Sequence, residues 1–222
     1  MFKGVWIGSE ANTDNGFLIL GESHYGETVE SHEVIEEYLR RCRDGGRTHW
    51  NRYFDRISES FGYSAGDTVF WDQVYFGNYV EDLCGIHDCK ALEMIAANRK
   101  QYNDHLFSFV NEHRVKVIVC FSKLVYNNLP DMGLGEMHPT SKEIGMVGTK
   151  RKTRVNVDHC EYNSGNVDRK WCHVPLESPL SVYAIRHPSC SAGYDSKKAY
   201  KYFAGREDLG KLCAKVTAGL GM

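Results

Sequence analysis

Short apolar runs alternate along the chain with longer stretches whose apolar positions recur every three or four residues. Phe17–Leu20, Val115–Phe121 and Ser181–Ile185 are compact apolar runs of the kind that suits strands buried on both faces. Thr68–Val80, TVFWDQVYFGNYV, is β-branched and aromatic and reads as a further strand entering a turn at Gly77-Asn78. Between them, Val34, Ile35, Tyr38 and Leu39 mark a helix that opens at Ser31 and stops at Asp44-Gly45-Gly46. Tyr53, Phe54, Ile57 and Phe61 give a second helix, from Trp50 to Phe61, one apolar face. Ala91–His113 reads as a long helix, and Ser122 caps another that Pro130 closes after Leu129. Ser196–Phe203 and Glu207–Leu220 read as closing helices.

The remaining stretches are less regular. Gly4–Ser9 reads as a short leading strand or extended arm, and Glu10–Gly16 as a polar turn. Met132–Gly148 is glycine-rich and irregular, a surface excursion. Thr153–Cys160 and Lys170–Pro175 read as two strands joined by a polar turn at Asn163–Asn166. Buried strands alternating with helices predict an α/β fold: a three-layer α/β/α sandwich on a central, mainly parallel four-stranded sheet. No repeat or linker interrupts the pattern, so one domain is expected over residues 1–222.

Composition narrows this only slightly. With 222 residues, 42% hydrophobic and 25% charged, the chain matches an ordinary globular protein with a sizeable core. No apolar run approaches the ~20 residues of a membrane span. MFKGVWIGSE lacks the apolar region of a signal peptide, so the expected compartment is the cytosol. A net charge of −2 leaves room for a local basic patch, and Lys150, Arg151, Lys152 and Arg154 form the densest one, a phosphate contact or a solvated face. Eight cysteines in such a chain predict thiols rather than a disulfide framework. His159, Cys160, Cys172 and His173 are ligand-type residues in the expected hairpin, a zinc set or simply turn-flanking side chains.

The chemistry gathers at strand ends. Phe17–Leu20 runs into Gly21, Glu22, Ser23, His24 and Tyr25. The strand at Thr68–Val80 ends with Asn78, and Ser181–Ile185 delivers Arg186-His187-Pro188-Ser189. Right-handed crossovers bring the carboxyl ends of parallel strands to one edge, where ligands of open α/β sheets bind. An ionisable group, an amide able to donate and accept on a planar ring edge, an aromatic wall and a histidine would meet there.

These residues resemble the motifs of the uracil-DNA glycosylase superfamily. Gly21-Glu22-Ser23-His24-Tyr25 looks like its first motif, Asn78 in YFGNYV like its strand-end base reader, and His187-Pro188-Ser189 like its late motif. VIVCFSKLVYNNLP looks like its third strand and following helix, so the resemblance runs from about Phe17 to Tyr200. It implies a uracil-DNA glycosylase-like fold and a monofunctional DNA glycosylase that needs no cofactor. The enzyme would act on DNA as a monomer, away from membranes, in base excision repair or antiviral defence. His187 would hydrogen-bond the base oxygen where negative charge develops. Asn78 would bind the base edge, with His24 beside it, and Tyr25 would wall the pocket. The loop bearing Ser189, Ser191 and Gly193 would enter the duplex as the base flips out, and Lys197 and Lys198 would hold phosphates. The aromatic that stacks on the base is Phe54, Trp50, Phe70 or Trp71.

Three departures qualify the substrate. Ser23 stands where many members carry a water-positioning Asp, so Glu22 takes that role or stabilises the sugar cation. His24 replaces the usual proline. The N-terminal cysteines that hold an iron–sulfur cluster in some branches are absent. The altered motif points beyond uracil to a modified pyrimidine, such as the hypermodified cytosine of phage DNA. Gly21-Glu22-Ser23, Gly77-Asn78 and His187-Pro188 also resemble GDSL-type serine hydrolases, with Ser23 as nucleophile and His187 as base. That family's Asp three residues before the histidine is Ala184 here. An inert DNA-binding relative is the third reading.

Overall fold

A computed structural model describes residues 2–12, 16–24, 30–46, 48, 51–84, 89–130, 157–189 and 194–214. Its elements in chain order are β1 (Trp6–Ile7), β2 (Phe17–His24), α1 (Ser31–Arg43), α2 (Asn51–Glu59), α3 (Thr68–Asp72) and β3 (Val74–Leu83). There follow α4 (Cys89–Glu112), β4 (Val117–Cys120), α5 (Lys123–Tyr126), β5 (Asp158–Tyr162), β6 (Leu180–Ala184) and α6 (Ser196–Ala204).

The strands form one α/β sheet in the order β1-β3-β2-β4-β6-β5. The four inner strands are parallel, as the apolar runs predict. The sheet is nevertheless six-stranded and mixed, because β1 and β5 add antiparallel edges. β2 alternates between two cores. Leu18 and Leu20 join Tyr75, Ile118 and Val182 beneath α4, whose Ile95, Tyr102, Leu106 and Val110 are buried. Phe17 and Ile19 join Phe76, Val119 and Tyr183 beneath α1, α2, α3 and α6, through Ile35, Phe54, Trp71 and Phe203 among others. Both faces of the inner strands are therefore covered, which is why those strands are apolar at successive positions. Among the described residues, no helix is long and apolar enough to cross a membrane.

Three segments differ from the pattern-based expectation. Thr68–Asp72 is helical, because the Asp67 carboxylate caps the turn by accepting the Val69 N–H at 2.9 Å. The β-branched and aromatic run conceals this switch, and the strand begins only at Val74. Lys170–Pro175 is not a strand: β5 pairs directly with β6, and the loop contributes one bridge, Gly165 to Leu176. Residues 207–213 form turns rather than a helix. Met132–Gly148, the Lys150–Arg154 cluster and Trp50 lie outside the described residues.

The feature that positions the site is a difference in strand length. Leu20 pairs with Gly77 on one side and Cys120 on the other. β4 ends there, while β2 and β3 continue as a two-stranded ribbon to His24 and Leu83. Gly21–His24 of the first motif is therefore strand, not the turn that Gly21 suggests.

Candidate functional site

On this ribbon Gly21 lies opposite Asn78. A Cβ at position 21 would stand 2.2 Å from Asn78 Oδ1 and 3.1 Å from Tyr53 Oη, so only glycine leaves room for the amide and the phenol. Asn78 is 9% exposed and gives one N–H of its amide to His24 Nδ1 at 3.2 Å. Burial pushes the His24 pKa down from 6.5 to about 4, against the pull of Asp82. At neutral pH the ring is uncharged, which keeps Nδ1 an acceptor and fixes the amide. The second N–H and Oδ1 of Asn78 remain to meet a planar ring edge.

Glu22 occupies the alternate position, where β4 gives way to α5. Ser122 Oγ donates to its Oε2 at 2.6 Å while accepting the Val125 N–H at 3.4 Å as the cap of α5. A carboxylate is thus held at the carboxyl edge of the sheet by a residue that the sequence marks only as a helix cap. Ser23 is buried beside the Cys84 thiol with no well-formed hydrogen bond. No hydrogen bond joins it to His187, as a serine nucleophile requires.

The last strand end is built differently. Ile185 is buried, and the chain emerges with His187 half-buried and Ser189 exposed. Ser189 donates to His187 Nδ1 through its hydroxyl at 2.6 Å and its backbone N–H at 3.3 Å. A backbone N–H can only donate, so the neutral ring carries its proton on Nε2. The Tyr53 ring stacks on the imidazole, with centroids 4.9 Å apart and planes 24° from parallel. Because its hydroxyl lies over Gly21 beside Asn78, Tyr53 joins the two strand ends. Arg56, one turn further along α2, donates to the Pro188 carbonyl. Tyr194, beyond the loop, bonds Ser60 Oγ at 2.5 Å and the Arg56 carbonyl at 3.2 Å. Helix α2 thus grips both ends of the loop after His187.

The structure brings together Asn78, His24 and, through Tyr53, His187, and it holds Glu22 separately against Ser122 at the alternate position of β2. Phe54 is placed elsewhere: it is 5% exposed and packs edge-on against Trp71 and Phe76 in the core. Phe70 and Trp71 are fully buried there too, so none of these three rings offers a face to a base. Lys197 is exposed at the start of α6, and Lys198 lies 3.6 Å from Asp195. Tyr25, Ser191 and Gly193 lie outside the described residues. Tyr53, Arg56 and Ser122 are the participants that sequence reading misses. Tyr53 sits one position off the buried stripe of α2, the one signal available for it.

The four ligand-type residues near β5 do not converge. His159 stacks on Tyr183 at 4.2 Å, in the core opposite Cys160, and His173 is exposed against Asp104. Among the described residues no three His, Cys, Asp or Glu side chains are grouped to hold a metal. No protein-family model, curated protein or solved structure matches the chain.

Proposed function

We propose that the protein is a DNA glycosylase that hydrolyses the N-glycosidic bond of a flipped-out pyrimidine and leaves an abasic site. One observation carries this reading: an amide locked by a neutral buried histidine is joined through one tyrosine to a second histidine whose Nδ1 accepts hydrogen bonds, which leaves Nε2 as its donor. The first is suited to reading a base edge. The second is suited to donating to a base oxygen as it becomes negative.

Breaking the bond leaves positive charge on the sugar and negative charge on the base, as in other glycosidic cleavages. Nε2–H of His187 stabilises the departing base, and Tyr53 and Ser189 keep the ring in that orientation. Asn78 holds the base edge, and Glu22, steadied by Ser122, stabilises the sugar cation. The loop through Ser189, Ser191 and Gly193 occupies the space left in the duplex, and Lys197 and Lys198 contact phosphates. Ser23-His24 in place of the Asp-Pro of related motifs favours a modified cytosine over uracil.

The test is a panel of labelled duplexes carrying uracil, hydroxymethylcytosine, glucosylated hydroxymethylcytosine or no modification, incubated with protein and cut at abasic sites with hot alkali. Cleavage of one modified strand, lost in His187→Ala and Asn78→Ala, is the expected result. No cleavage, with turnover of a p-nitrophenyl ester that disappears in Ser23→Ala, replaces this reading with a serine hydrolase.

A further inference from the structure

The first motif lacks an acid at Ser23, yet hydrolysis needs a group to orient and deprotonate the attacking water. The neighbouring strand carries one. Ser23 pairs with Val80 and His24 with Leu83, so a single step along β2 spans three along β3. Glu81 and Asp82 are the two additional residues, a bulge at the carboxyl end of the ribbon. Bulges redirect side chains and are common beside active sites. This one separates two acids. Glu81 turns inward, 2% exposed, and both its oxygens meet His105 Nδ1 on α4, at 3.0 and 2.9 Å. Asp82 stays exposed, and its Oδ2 accepts the hydroxyl of the buried Tyr102 at 2.8 Å.

The geometry points to Asp82 as a catalytic carboxylate of the glycosylase site, oriented by Tyr102 and supplied by β3 in place of the acid absent at Ser23. This rests on the glycosylase reading. Asp82 precedes Leu83, the register partner of His24, and the Cys84 N–H closes the bulge on the His24 carbonyl at 3.2 Å. Its charge opposes the burial that lowers the His24 pKa, and His24 is the ring that holds Asn78. The roles of Asp82 and Glu22 divide. As the C1′–N bond breaks, its electron pair leaves with the base beside His187, and Glu22 faces the cationic sugar. Water oxygen bonds to C1′ and gives its proton to Asp82, which returns it to solvent as the base takes up a proton.

Single-turnover excision by the full-length chain, on whichever duplex the wild type cleaves, tests this, with DNA affinity measured in parallel. Asp82→Asn is expected to slow excision about 100-fold with DNA affinity unchanged. Formate is expected to restore part of the rate of Asp82→Ala, which a merely structural residue would not allow. Tyr102→Phe, which keeps the ring and frees the carboxylate, is expected to slow excision severalfold. Asp82→Asn with more than half the wild-type rate, or a loss seen only as weaker DNA binding, overturns the assignment and leaves the glycosylase reading intact. A wild-type chain that releases no base from any duplex overturns both.

Discussion

The two strand ends that meet at Tyr53 are built on opposite principles. The β2–β3 end is dry: Asn78 and His24 are buried, glycine makes the space, and the backbone register sets each position. The β6 end is wet: His187 is half-buried and Ser189 exposed, and side chains from α2 do the holding. A group that must discriminate one ring edge from another gains from burial, where an unpaired polar atom costs about 1–3 kcal/mol. On the proposed reading, a group on a loop that admits a flipped nucleotide is not buried in the free protein, which fits a ring braced from one side only.

The sharpest way to break the comparison is to remove a reacting group at each end. Asn78→Ala and His187→Ala are each expected to lower single-turnover excision about 100- to 1,000-fold, the usual cost of one preorganised donor. Asn78→Ala should discriminate bases poorly in what activity remains, whereas His187→Ala should keep its ranking of substrates. Next comes Gly21→Ala, whose Cβ must displace the Asn78 amide. It is expected to cost at least tenfold in excision and about 1–3 kcal/mol in stability, read from denaturation midpoints.

The dry end also carries a pH signature. His24 holds its proton up to 6.5 when unfolded but only to about 4 when folded. Between those values the unfolded chain binds more protons, so stability falls as pH drops through that window. The neutral-ring contribution is complete above 6.5 and is worth at most about 3 kcal/mol. Urea midpoints of wild type should therefore decline from pH 6.5 to 4, and those of His24→Asn should decline less. At the wet end the effect is smaller: Arg56→Ala is expected to slow excision about tenfold, with Arg56→Lys intermediate and the unfolding midpoint nearly unchanged.

The inner sheet was legible because its physics is local. Runs such as Phe17–Leu20 and Val115–Phe121 are apolar at successive positions only because helices cover both faces. The edges were legible as segments but not as pairings: Gly4–Ser9 contains β1 and Thr153–Cys160 overlaps β5, while the antiparallel partner of each depended on contacts distant in sequence. At the site, His187 was visible as a polar group beyond a strand end, whereas Glu22 and Asn78, read as strand-end residues with a turn at Gly77-Asn78, lie inside β2 and β3, which run on to His24 and Leu83. Tyr53 was not visible, because an aromatic beside a buried stripe looks like core, and Phe54, which does belong to the core, was the more conspicuous ring. The bulge at Glu81-Asp82 was invisible, since a run of strand residues does not show how many of them face one partner.

The most direct test of the claim that both strand ends form one base-excising site is mass spectrometry of the products from a duplex carrying glucosylated hydroxymethylcytosine and one carrying uracil. The account predicts free modified base and an abasic strand in equal amounts from the wild type, and neither from Asn78→Ala or His187→Ala. Intact strands with the wild type, or base release that survives both substitutions, would contradict it.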